Sequence, residues 1–274
     1  MLISGVLATL LAAAPDPAAA SLAAAERAFA ADARRDGARR AFLAHFDAGS
    51  WLFRPAPVDA LDALARDADD GGELAWGPAR FAVAASGDLG FSTGPWRATG
   101  PGSDGAAHGQ FLTVWVRGGD GVWRVKADGG IGHAAPRNAP AAAAPVATDA
   151  SVVALAGDEA ARAGELAGAD DALRAELAGA RPAQAWSAVA DPALHVLRNG
   201  ELPADGPAAL ALLARDPAGF GTGERRALGI AASGELGYTL GGSTACAPCG
   251  SYLRVWRRHD SGWKLLADVG MPHR

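Results

Sequence analysis

Only two cysteines occur in 274 residues, Cys246 and Cys249, too few for a disulfide-stapled scaffold, and without a second pair or clustered histidines they make no structural zinc set. Charge of one sign is lacking as well: 25 basic against 30 acidic residues leave a formal net charge of −5. Both signs are interspersed, which excludes the footprint of a nucleic-acid-binding surface and of a polybasic membrane patch. No glycine-rich phosphate loop follows a strand pattern, and neither Gly-x-Ser-x-Gly nor His-Glu-x-x-His occurs, so no cofactor and no metal are indicated. Beyond the first fourteen residues there is no long apolar segment, and no membrane span is expected in the mature chain.

What is present suffices for two cores. Half of the residues are apolar and eight are tryptophan, and the length fits two domains better than one. Residues Met1 to Ala14 form an uncharged apolar run too short to span a bilayer, followed by Ala18-Ala19-Ala20. This reads as a signal peptide over 1–20 cleaved before Ser21, and as a periplasmic or secreted protein. The alternative, a buried first helix, is opposed by Pro15 and Pro17.

The strongest signal is an internal repeat. Ala82 to Gly94 reads AVAASGDLGFSTG and Gly229 to Gly241 reads GIAASGELGYTLG, identical at seven of thirteen positions. The match continues through Phe111–Arg117 with Tyr252–Arg258, and through Gly121–Gly129 with Ser261–Val269. It pairs Trp115 with Trp256, Trp123 with Trp263 and Asp128 with Asp268. Upstream, Asp47 and Arg54 match Asp191 and Arg198 at one offset, and Ala-Arg-Asp endings fall near Asp67 and Asp216. The proline-broken stretch Ala134 to Ala150 reads as a linker between a first domain, 21–133, and a second, 151–274.

Within the first copy, helical spacing is expected over Ser21–Phe46 with a break at Gly37, then a short strand at Trp51–Arg54 and a short helix at Ala60–Arg66. Strands at about Leu74–Ala84, Leu89–Ala98, Gly109–Arg117 and Val122–Asp128 follow. In the second copy Pro207 suits the first turn of a helix over Ala208–Arg215, with Asp205 as its cap. Helices first and a meander last predict an α+β fold, helices laid against an antiparallel sheet.

The stretches Ala75–Arg97, His108–Trp115 and Val122–Gly130 resemble SnoaL-like proteins of the nuclear-transport-factor-2-like superfamily, in its branch of exported bacterial proteins without assigned chemistry. The second copy keeps YLRVWRR and WKLLADVG but lacks the Gly-Pro-Trp turn. The resemblance implies two tandem cone-shaped domains, each a strongly curved sheet wrapped around helices to leave a conical pocket. It leaves function open between a binding protein for a small hydrophobic molecule and an isomerase, hydrolase or dehydratase.

Asp128 and Asp268, ending the last strand of each copy, are the acid–base candidates, a pocket raising a carboxyl's pKa; the plainer reading has each accept backbone N–H groups. Arg54 and Arg198, with Asp47 and Asp191, suit either the handling of a substrate oxygen or a surface ion pair pinning helix to strand. Trp96, His108 and Gln110 could line a pocket or be core and hairpin residues. Oxyanion donation of the isomerase kind is excluded in the first copy, where Phe91 and Phe111 replace Tyr238 and Tyr252. Trp115, Trp256 and Arg254 complete the binding candidates, and the recurrence of the two tryptophans suggests that the copies pack as an intrachain pseudo-dimer through their open sheet faces. Cys246-Ala-Pro-Cys249 sits in a loop, where a disulfide suits it better than a redox centre, since the helix N-terminus that activates such thiols is missing.

Overall fold

The computed structural model describes residues 17–67, 71–100, 105–136, 146–147, 158–179, 181–243, 246 and 249–273. The first half runs α1 (Pro17–Asp36), α2 (Ala38–His45), β1 (Phe46–Phe53), β2 (Pro57–Asp59), α3 (Ala60–Arg66), β3 (Glu73–Trp76), β4 (Arg80–Val83), β5 (Leu89–Thr99), β6 (Ala107–Arg117) and β7 (Trp123–His133). After the short β8 (Val146–Ala147), the second half runs α4 (Glu159–Leu177), α5 (Pro182–Val189), β9 (Ala190–Arg198), β10 (Ala204–Asp205), α6 (Gly206–Leu213), β11 (Arg225–Ile230), β12 (Leu236–Gly242), β13 (Ser251–His259) and β14 (Gly262–Met271). The order repeats, with β11 answering to β3 and β4. The strand expected at Leu74–Ala84 is split because Gly77-Pro78 interrupts it, proline having no N–H for the ladder.

Local chemistry sets the helix ends. Gly37, at φ +90°, turns the chain between α1 and α2, a conformation a side chain would oppose. Asp59 and Asp158 cap α3 and α4 by accepting from the N–H groups of Asp62 and Ala161, both at 2.9 Å. The cap expected at Asp205 is not made. Its carboxylate pairs instead with His195 at 2.8 Å and with Arg80 of the first half at 2.7 Å. Pro17 opens α1, a position where proline's missing N–H costs nothing. The expected cleavage point before Ser21 therefore falls inside the first turns of α1, where Ala19 is already buried. The apolar run 1–14 lies outside the described residues.

Each half forms one sheet, ordered β2-β1-β7-β6-β5-β4-β8 and β10-β9-β14-β13-β12-β11, with β3 also on β5. Among the described strands only β1 with β7, β9 with β14 and β4 with β8 are parallel. A bulge recurs at one place in both sheets: Val114 pairs with Ala127 and Trp115 with Val125, leaving Lys126 extra, and Val255 pairs with Ala267 and Trp256 with Leu265, leaving Leu266 extra. A bulge bends the strand and shifts its two-residue alternation. Trp123 and Val125 thus face the helices, Ala127 faces away, and Asp128 returns to the helix side.

Trp115 and Trp256 are fully buried on the helix side, each in the core of its own domain. They do not lie on the open sheet faces, because alternation gives those faces to their neighbours. Phe91, Leu112 and Val114 of the first sheet join Tyr238, Leu253 and Val255 of the second in one apolar cluster. At its edge the two copies of the repeated turn meet. Ser86 and Ser233 share a hydroxyl hydrogen bond of 2.7 Å, Ala85 N–H donates to Glu235 Oε1 at 2.5 Å, and Ala232 N–H donates to Asp88 Oδ2 at 3.0 Å.

Candidate functional site

A cavity of about 570 Å³ opens between the helices and the sheet of the first domain. Phe29, Phe42, Trp76, Trp96 and Phe111 wall it, and Thr113 and Asp128 lie on its sheet side. The rings interlock around Phe29, whose centroid is 4.9 Å from that of Phe42 and 4.8 Å from that of Trp76, in edge-to-face geometry. Trp96 lies so close over Gly109 that a Cβ there would come within 2.3 Å of its indole, so only glycine fits beneath it.

Asp128 faces this cavity from β7 and accepts from Thr113 Oγ1 at 2.6 Å, not from backbone N–H groups. It keeps some accessible surface through the cavity, yet protein surrounds it at longer range. Desolvation pushes its pKa up to about 7; the Thr113 bond lowers it, the charge of Glu26 raises it and that of Arg54 lowers it. Glu26, on α1, is fully buried behind the wall. It accepts from Trp76 Nε1 at 2.6 Å, Ser92 Oγ at 2.5 Å and Trp115 Nε1 at 3.1 Å. Burial raises its pKa, and those hydrogen bonds only partly offset the effect. At the rim Arg54 Nη2 meets Asp67 Oδ2 at 3.2 Å, both half exposed.

The ion pair expected between Arg54 and Asp47 is not made, since Asp47 approaches Arg124 at 3.9 Å and Ser50. Asp191 likewise pairs with Arg257 at 2.5 Å and His259 at 2.7 Å, not with Arg198. Of the three first-copy pocket candidates the structure brings only Trp96 to the cavity. His108 and Gln110 share a parity with Leu112 and Val114, so their side chains leave on the opposite face of β6; Gln110 reaches His133 at 3.5 Å.

In the second domain the same stations carry charge. Arg254, across the ladder from Asp268 as Thr113 is across from Asp128, has a fully buried guanidinium. Its Nε donates to Asp268 Oδ1 at 3.1 Å, its Nη1 to Asp170 Oδ1 at 2.9 Å and its Nη2 to the Gly221 carbonyl at 2.8 Å. Burial opposes its charge, but the attraction of Asp170 and Asp268 wins and its pKa is raised. Arg198 adds contacts of 2.6 Å to Asp268 and 2.9 Å to Asp216. Asp268 is thus held between two guanidiniums and cannot serve as a free acid or base. Tyr252 donates to Asp170 at 3.1 Å, and Tyr238 lies in the interdomain cluster, where desolvation pushes its pKa up to about 12. Neither hydroxyl faces an open cavity of the first domain's kind. Cys246 and Cys249 are disulfide-bonded, with Cα atoms 5.3 Å apart, in the connection between β12 and β13. Gly221 N–H donates to the Cys249 carbonyl at 2.9 Å, tying that turn to the loop over Arg254. Among the described residues no cluster of His, Cys, Asp or Glu has metal-holding geometry.

Glu26 and Asp170 went unmarked in the sequence. Their signal is the pair Leu22-Ala-Ala-Ala-Glu26 and Leu166-Ala-Gly-Ala-Asp170, aligned at the offset that relates Arg54 to Arg198. Leu22 and Leu166 hold equivalent places against Gly90 and Gly237.

No family model matches the chain, and no curated protein does. Among solved structures, the chain is similar to an NTF-2 like protein of unknown function from Shewanella oneidensis, at 15% identity and a TM-score of 0.34 over 41% of this chain and 97% of that one. A conserved protein from Planctomyces limnophilus is similar at 12% identity and a TM-score of 0.34 over 42% of this chain and 98% of its own. An NTF2-like protein from Bacteroides fragilis is similar at 9% identity and a TM-score of 0.26, over 89% and 95%. Likenesses this distant carry nothing about activity. By its own element order, strand order and bulged sheet closed over helices, each half has the α+β cone of the nuclear-transport-factor-2-like fold.

Proposed function

We propose that this chain binds a small, largely apolar molecule in the first-domain cavity, and that the second domain serves as packing partner with its own site filled. The observation that carries the reading is the contrast between an aromatic-walled space of about 570 Å³ above Asp128 and the buried guanidinium of Arg254 above Asp268. The volume lies in the range of small-molecule sites, and apolar walls with one placed polar group are how such sites work. Packing of the two sheet faces around Phe91 and Tyr238 supports an intrachain pair that needs no second chain. The apolar N-terminal run and the disulfide support an exported setting.

The test is titration of the intact chain with the neutral dye Nile red, whose emission rises in apolar surroundings. Saturable one-to-one binding is expected, lost in Ala98→Trp, which fills the cavity from β5, while the melting temperature holds. Binding unchanged in that variant overturns the assignment. A second reading, acid–base catalysis on such a molecule, is favoured by the Asp128 pKa near 7, suited to proton transfer at neutral pH. Turnover of any substrate that survives Asp128→Asn would remove it.

A further inference from the structure

We propose that the first-domain cavity takes an organic cation, a guanidinium or ammonium head on a small apolar body, seated beside Asp128 where the second domain seats the guanidinium of Arg254. This rests on reading the cavity as a ligand site and names the chemistry it selects.

The second domain shows what the shared framework holds when it is full. Besides its bonds to Asp170, Asp268 and the Gly221 carbonyl, the Arg254 guanidinium carbon lies 3.9 Å from the centroid of Tyr252 and 5.5 Å from that of Trp186. The first domain keeps that framework and omits the cation. Glu26 stands for Asp170, Asp128 for Asp268, Phe111 for Tyr252 and Phe42 for Trp186, and Thr113 replaces the arginine. Asp128, Phe111 and Phe42 all line the open cavity.

The other guanidinium is withdrawn too. Arg198 reaches Asp268 at 2.6 Å, whereas Arg54 is turned to Asp67 at the rim. Asp128 is left with the Thr113 hydroxyl and the charge of Arg54 at longer range, with no ion pair of its own in a desolvated place. A cation over Phe42 and Phe111 would gain both the ion pair and the ring faces, contacts that strengthen where water is excluded.

The sign of the pH dependence separates this from its rival. Groups facing Asp128 are Glu26 on α1, Arg39 on α2, Arg54 just after β1 and Asp67 after α3, with the Asp32–His45 pair, 2.9 Å apart, across α1 and α2. Arg39 is already bonded to the Leu64 carbonyl at 2.9 Å and Arg54 to Asp67. A cation selects the ionised Asp128, so its binding releases a proton and strengthens as pH rises toward 7. A neutral ligand accepting from protonated Asp128 does the reverse.

The experiment is calorimetric titration of the full chain with benzylguanidinium and with benzylurea, its neutral isostere, between pH 5.5 and 8.5. Benzylguanidinium is expected to tighten about tenfold per pH unit up to about pH 7 and then level off, and to exceed benzylurea at least tenfold at pH 8. Asp128→Asn should erase that preference, and Thr113→Arg, which supplies an internal guanidinium, should bind neither. If Asp128→Asn does not fold, the pH slope and Thr113→Arg decide. Benzylurea binding as tightly, and weakening as pH rises, overturns the cation while Nile red binding leaves the cavity reading standing. Neither probe binding, together with no Nile red binding, overturns both.

Discussion

Thr113 and Arg254 stand at one station of two related sheets, each directly across the ladder from the repeated aspartate of the last strand. A short hydroxyl leaves space above Asp128, and a long guanidinium fills the space above Asp268. The framework on either side is shared, so this exchange separates an open domain from a filled one.

Arg254→Met strips the cation shared by Asp170 and Asp268 and should cost about 3–5 kcal/mol, the usual result of orphaning buried charge. The double variant Arg254→Met with Asp268→Asn should recover part of the loss. Urea denaturation of both checks this, and a single-variant loss under about 1 kcal/mol would contradict it.

Arg54→Ala and Arg198→Ala should differ sharply although the residues are equivalent. The first breaks a half-exposed pair, worth about 0–1 kcal/mol. The second removes a buried guanidinium from Asp216 and Asp268, and should cost about 3–5 kcal/mol. Equal midpoints in guanidinium chloride would refute the difference.

The fold should lose stability as pH rises from about 4 to about 7. Asp128 has its pKa raised in the folded state, so folding favours its protonated form; the contribution is complete below the unfolded value near 4 and lost as pH passes the folded value near 7. Glu26 acts in the same direction. Asp191 and Asp205, whose pKa values are lowered, act oppositely at lower pH. The difference between the parent chain and Asp128→Asn therefore isolates Asp128, at up to about 1.4 kcal/mol per pH unit. A pH-independent difference would remove the assignment.

Leu240→Ala, in the apolar cluster shared by both sheets, should cost about 2–5 kcal/mol. It should lower the melting of both halves together. Calorimetry showing one half untouched would speak against the shared core.

Reducing the disulfide, or replacing Cys246 and Cys249 with serine, should leave Nile red binding unchanged. The pair closes a turn in the second domain, away from Asp128, and a change in affinity would link it to the site.

The duplication and the α+β order were legible because each rests on local pattern: repeated turns, strand alternation and helical spacing. Trp115 is read from the sequence as a binding or open-face residue and lies instead in the helix-side core, because alternation tells which residues share a face and not which face meets the helices. Asp128 was found by its repetition in Asp268, yet repetition also suggested equal roles. What distinguishes them, Thr113 against Arg254, lies fourteen or fifteen residues away in sequence and across a ladder in space.

The sequence by itself determined two copies of one helix-then-meander unit, their strand order along the chain and an aspartate repeated in each last strand, which the structure places within β7 and β14 and not at their ends, since short-range periodicity and turn chemistry govern these. Only the tertiary structure decided where those aspartates point and what they meet. One extra residue in each last strand turns Asp128 and Asp268 to the helix side, and partners from other elements then leave the first nearly bare and neutralise the second. Desolvation and ion pairing depend on what packs together, so two aspartates alike in sequence take opposite electrostatic characters.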